Sequence, residues 1–96
     1  MRHKSINELI SLKGRTALVT GCSQGIGEAI VSRLAQAGAS LILVDINRKK
    51  LERVRKERCA SVNALCMTVD LSKKEAIDAL WRDFKEDKPD ILINNA

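Results

Sequence analysis

The residues that could do chemistry in this chain gather at one glycine-rich turn and at the ends of short apolar runs. Thr20-Gly21-Cys22-Ser23-Gln24-Gly25-Ile26-Gly27 joins such a run to a segment of helical period. Gly21 suits a tight turn, Gly25 lets backbone N–H groups approach a phosphate, and Gly27 lets the next helix lie close to its sheet. A helix opening there adds unpaired N–H groups and about half a positive charge. The turn is thus a candidate pyrophosphate cradle, and its place between strand and helix sets it apart from a chance glycine cluster. Asp45, Asp70 and the pair Asn94-Asn95 each stand at the end of a further apolar run.

The elements that must carry these residues are legible from periodicity. Arg15–Thr20, Ser40–Asp45, Ala64–Val69 and Asp90–Asn94 are nearly continuous in Leu, Ile, Val and Ala. Runs of that kind fit strands covered on both faces, as in a parallel sheet. Between them, Ile26, Ile30 and Leu34, with Ala29 and Ala37, predict an apolar helical stripe that Gly38 terminates. Asn47 is the expected cap of a second helix, which offers Leu51, Val54 and Val62 to the core. Ser72 followed by Glu75 predicts a capping box for a third, with Ile77, Leu80, Trp81 and Phe84 as its buried stripe. Pro89 marks the entry to the last strand. Right-handed crossovers then give an α/β, doubly wound parallel sheet, a partial Rossmann fold with three crossover helices. Residues 11–96 form this unit, and residues 1–10 are expected to be a flexible polar arm.

Composition narrows the function classes. A chain of 96 residues with 45% hydrophobic and 30% charged content fits one small globular domain. No apolar run approaches the ~20 residues of a membrane span, and the start lacks the apolar stretch of a signal peptide, so a cytoplasmic protein with no membrane partner is expected. Three cysteines, Cys22, Cys59 and Cys66, show no metal-ligand spacing and fit a reduced thiol set. The whole net charge of +5 resides in Arg48–Arg58, where seven Lys/Arg face Glu52 and Glu57. A solvated helix face explains such a run. Without interleaved aromatics it gives no support to nucleic-acid binding. Cys22, near a helix N-terminus, is either a small inert residue or a redox switch. His3, the only histidine, stands in the polar arm and suggests neither catalysis nor a metal site.

The spacing Gly-x3-Gly-x-Gly differs from the general Gly-x-Gly-x-x-Gly fingerprint and resembles the signature of the short-chain dehydrogenase/reductase family. Asp45, Asp70 and Asn94-Asn95-Ala96 stand where that family has its acidic residue, its aspartate and its Asn-Asn-Ala-Gly motif. The resemblance runs from about Ser11 to Ala96. It implies strand order 3-2-1-4, with two helices on one face and the third alone on the other. It also implies a nicotinamide dinucleotide site lined by Gly21, Ser23, Gln24, Gly25, Ile26 and Gly27. Asp70 and Leu71 would hold the adenine end, Asn94 and Ala96 the ribose region, and Asn95 would tie the central strands together. Helix capping is the competing role for Asp70.

Asp45 can accept from both adenosine ribose hydroxyls and would repel a 2′-phosphate, which favours NAD over NADP. Arg48 and Lys49 blur that preference. The family's chemistry rests on a Ser, a Tyr and a Lys, the last two spaced Tyr-x3-Lys, and this chain contains no Tyr. No catalytic residue carries over. The expectation is therefore the N-terminal, cofactor-binding part of an alcohol/ketone oxidoreductase, not catalytic alone. A small-molecule substrate and a homo-oligomer belong to the full-length parent. The alternative is a truncated, non-catalytic interaction or decoy module.

Overall fold

The continuous apolar runs become the four strands of one sheet. The computed structural model describes residues 11–23, 25–84 and 88–95; the polar arm expected over residues 1–10 lies outside them. The order is β1 (Thr16–Thr20), α1 (Gly25–Gln36), β2 (Ser40–Asp45), α2 (Arg48–Arg58), β3 (Ala64–Thr68), α3 (Lys74–Asp83) and β4 (Ile91–Asn94). All pairings are parallel and the spatial order is β3-β2-β1-β4. This is the doubly wound order 3-2-1-4 that the family resemblance implies.

Alternation of side chains along each strand divides the core in two. Ala17, Val19, Leu41 and Leu43 point to one face, where Val31 and Ala35 of α1 and Leu51 and Val54 of α2 cover them. Leu18, Ile42 and Val44 point to the other, under Leu80 of α3 and Phe84. On this second face the register aligns Leu65, Ile42, Leu18 and Leu92 in one row across the sheet. The inner two are buried, whereas Leu65 and Leu92 remain 55% and 51% exposed. A fully buried leucine contributes about 1.5–3 kcal/mol, and the outer two realise about half of that. One helix covers two strands, not four.

The helices follow local rules, with two departures from expectation. The predicted stripe of α1 is displaced by one residue: Gly27, Val31 and Ala35 are buried, while Ile26 is 72% exposed and Ala29 is exposed. The smaller residues let the helix approach the sheet more closely than Ile26 and Ile30 would. At its end Gly38 N–H donates to Ala35 O and Ala39 N–H to Leu34 O, at 3.0 and 3.1 Å, which satisfies the last carbonyls. Asn47 caps α2 as expected, its side chain accepting from Lys50 N at 3.0 Å. The capping box of α3 does not form. The helix starts one residue later, at Lys74, with Lys73 at the cap position and no side-chain cap. Ser72 is instead engaged by Asp70, and Trp81, expected in the core, is 38% exposed.

β4 is short but held at both ends. Asp90 accepts from Thr16 N at 2.9 Å through its carboxylate, and its own N–H donates to Thr16 O at 2.8 Å. At the other end Thr20 Oγ1 donates to Asn94 Oδ1 and accepts from Asn95 N, both at 3.0 Å. These bonds fix the register of a four-residue edge strand.

Candidate functional site

The C-terminal ends of β1 and β2 separate above the sheet, and the glycine turn spans the gap. Gly21 and Gly25 take left-handed backbone (φ 59° and 58°), which a residue with a Cβ adopts only under strain. At Gly25 a Cβ would meet nothing within 4 Å, so that glycine faces open space. Gly27 is the opposite case. A Cβ there would fall on the Gly21 carbonyl oxygen and lie 2.8 Å from Asn95 Nδ2. Only a hydrogen lets the start of α1 sit this close to the turn.

The result is a groove of about 530 Å³ whose walls include Gly21, Ser23, Gly25, Ile26, Asp45, Ile46, Asn47, Lys50 and Asn95. A smaller hollow of about 150 Å³ continues from Gly21, Asp45 and Ile46 to Val69, Asp70 and Leu71. The structure thus brings together Gly21, Ser23, Gly25, Ile26, Asp45, Asp70 and Leu71. Gly27 supports the turn from beneath. Asn94 instead lines a neighbouring apolar groove between β4 and α3. Gln24 and Ala96 lie outside the described residues. Sequence reading had not placed Ile46, Asn47 and Lys50 at this site. The only available signal was their position just after Asp45. Asn95 donates from Nδ2 to Gly21 O at 3.3 Å and from its backbone to Thr20, which joins β4 to the turn.

Asp45 is the focus of the polar contacts. Its Oδ2 accepts from Ser23 Oγ at 2.7 Å and from Ser23 N at 3.3 Å, and its Oδ1 accepts from Asn47 N at 3.2 Å. Partial burial pushes its pKa up, but bonds from the Ser23 hydroxyl and from the Asn47, Ser23 and Ile46 amides outweigh this and hold it below the usual range. Asp70 accepts from Ser72 Oγ at 2.6 Å and from Ser72 N at 3.0 Å, both on Oδ1. These two bonds lower its pKa. Asp70 therefore organises the turn before α3 while standing at the end of the smaller hollow.

Cys22 is fully buried with Sγ 3.7 Å from Val44 O. Burial and the neighbouring Asp45 charge push its thiol up to about 12. It remains protonated at neutral pH, which argues for the inert filler and against the redox switch. The basic run is only partly a solvated face. Arg53 and Arg58 reach across to Glu28 of α1 at 2.7 and 2.9 Å, and Arg55 pairs with Glu52 at 2.6 Å. Hydrogen bonds from Arg53 and then Arg58 lower the Glu28 pKa. Among the described residues no group of His, Cys, Asp and Glu could hold a metal ion, and no helix is long and apolar enough to cross a membrane.

A family model for short chain dehydrogenases matches residues 15–96. The chain belongs to the short chain dehydrogenase family. A short chain dehydrogenase/reductase of Gibberella zeae is 37% identical over 91 residues, which is 93% of this chain and 34% of that protein. Among solved structures, the RhlG/NADP active-site complex of Pseudomonas aeruginosa superposes with a TM-score of 0.82 at 34% identity, covering 91% of this chain and 36% of that one. A metagenomic short-chain oxidoreductase in complex with NADP gives a TM-score of 0.81 at 38% identity, covering 88% and 40%. The chain spans about a third of the length of the curated relative it matches. Membership of the short chain dehydrogenase family makes the groove above β1 and β2 the candidate site for a nicotinamide cofactor.

Proposed function

We propose that this chain forms the adenosine and pyrophosphate side of a nicotinamide dinucleotide site, and that NAD is preferred to NADP. In a full-length parent the cofactor would exchange hydride with an alcohol or ketone substrate. The groove fits such a ligand. Gly25 leaves its floor open, Gly25 and Ile26 bring the start of α1, where N–H groups lack helical partners, to its wall, and Asp45 stands at its rim. The observation that carries the reading is the Asp45 carboxylate, kept ionised and aimed by Ser23 and Asn47. An ionised carboxylate accepts from ribose hydroxyls and repels the ~1.5–2 negative charges of a phosphate monoester.

Ser23, Gly25 and Ile26 would line the pyrophosphate and ribose, with Gln24 beside them. Asp70 and Leu71 would meet the adenine, and Asn94 and Ala96 the ribose nearer the nicotinamide. No Tyr is present to act as general acid or base, so the chain alone binds cofactor without turning over substrate. Soluble, cytoplasmic location and homo-oligomeric assembly of the parent belong to the same proposal.

A second reading, NADP, is favoured by Lys50 at the rim of the groove and by the NADP in the two structural neighbours. Calorimetric titration of NAD and NADP into the chain and its Asp45→Ala variant separates the two. Tighter NAD binding, with the gap narrowed in the variant, supports the first. Equal or tighter NADP binding in the unmutated chain refutes it.

A further inference from the structure

We propose that Arg53 of α2, which does not line the groove, is a positioning residue for it, fixing Ser23 and through Ser23 the orientation of Asp45. The inference rests on the cofactor reading above. One guanidinium nitrogen, Nη2, donates to Ser23 O at 3.1 Å and to Glu28 Oε1 at 2.7 Å. The other, Nη1, reaches Glu28 Oε2 at 3.4 Å and Glu57 Oε1 at 3.2 Å. Arg58 Nε holds the same Glu28 carboxylate at 2.9 Å. The fork is therefore fixed on both sides, by α1 and by its own helix, before it meets the turn.

Ser23 is the next link. Its carbonyl is held by Arg53 while its hydroxyl and amide both donate to Asp45 Oδ2. The glycine turn, the end of β2 and α2 thus meet at one buried serine. Exposed ion pairs alone contribute little, so Glu28 pairing by itself does not account for the bond to a turn carbonyl. That bond is directional, and making it together with the bonds to Glu28 and Glu57 needs several donors in one plane. Arginine supplies them, whereas lysine offers a compact charge without the fork.

The consequence concerns discrimination at the ribose more than general affinity. Asp45 can distinguish a ribose from a 2′-deoxyribose only if its oxygens are held in place. ADP and 2′-deoxy-ADP, titrated by calorimetry, isolate that difference. The unmutated chain should prefer ADP by about ten- to a hundredfold, the worth of one hydrogen bond to a charged acceptor. Arg53→Met should bring the ratio close to one, with a clearly smaller loss of affinity for 2′-deoxy-ADP than for ADP, because Ser23 also borders the phosphates while only the ribose preference depends on the aim of Asp45. Arg53→Lys keeps a cation beside Glu28 but not the fork, so it should lose the preference while keeping its thermal midpoint.

An unchanged ratio in both variants, or an equal loss for both nucleotides, would overturn the proposal and leave Arg53 a structural residue. Dichroism checks each variant; if Arg53→Met does not fold, the ratio in Arg53→Lys decides. Failure of both to fold would also make Arg53 a fold residue and refute the positioning role. An unmutated chain that binds neither nucleotide refutes the cofactor reading itself, and this inference falls with it. Binding of both without preference, by contrast, rejects the ribose role of Asp45 while leaving phosphate binding intact.

Discussion

Replacing Gly27 with alanine sets two physical arguments against each other. Alanine is the better helix former, by about 0.5–1 kcal/mol, so helix propensity alone predicts a more stable protein. The geometry predicts the reverse. The new methyl would overlap the Gly21 carbonyl oxygen and lie 2.8 Å from Asn95 Nδ2 and 3.0 Å from Cys22 Cα. Two of those three obstacles are backbone atoms and cannot rotate away. Overpacking costs about 1–3 kcal/mol, and backbone obstruction places this case near the upper end. Subtracting the propensity gain leaves a net loss of about 2 kcal/mol, or roughly 8–16 °C in the midpoint of a domain of this size. Far-ultraviolet dichroism during heating of both proteins at equal concentration measures it. A Gly27→Ala midpoint at or above that of the unmutated chain would refute the close-approach argument.

Three further outcomes are expected. The half-exposed Leu65 and Leu92 should drive self-association, and Leu65→Lys with Leu92→Lys should lower the sedimentation coefficient; an unmutated chain that is monomeric at every concentration would refute this. Cys22 and Cys59, buried and pushed up to about 12 and about 11, should resist a thiol reagent at mildly alkaline pH until denaturant is added, leaving the less buried Cys66 as the first to react; early labelling of Cys22 would contradict the burial. Asp45 and Glu28 have pKa values below those of the unfolded chain. Their stabilisation is complete above the ordinary carboxylate range of about 4 and is lost as pH falls through the lower folded values. Acid unfolding should therefore begin below about pH 4, and Asp45→Asn should flatten that pH dependence in urea titrations.

Much of the fold was legible because its signals are local. The strand runs agree with the structure to within one residue at each end, since a strand covered on both faces needs uninterrupted apolar sequence. Asn47 was legible as a cap for the same reason: the bond it makes lies three residues away. The α1 stripe was misphased because hydrophobicity favours Ile26 and Ile30 over Gly27 and Ala35. The sheet instead selects the residues small enough to approach. The pair Ser72 and Glu75 had the spacing of a capping box, but Asp70, two residues earlier, engages the serine first. At the site, Gly21, Gly25 and Asp45 declared themselves by spacing. The ties from Asn95 to Gly21 and from Arg53 to Ser23 span 74 and 30 residues, and no local pattern encodes them.

The fastening of β4 also sets an order of events during synthesis. Thr20 and Gly21 are made early, yet the groups that complete their hydrogen bonds, Asn94 and Asn95, are made more than seventy residues later. At a translation rate of about 5–20 residues per second, the turn stands without those partners for several seconds while α1, β2, α2 and β3 emerge. The first strand is therefore an open edge until β4 emerges, available to a neighbouring nascent chain or a chaperone. Closure comes with β4, so the Asn95 side of the groove and the protection of that edge are acquired in the same step.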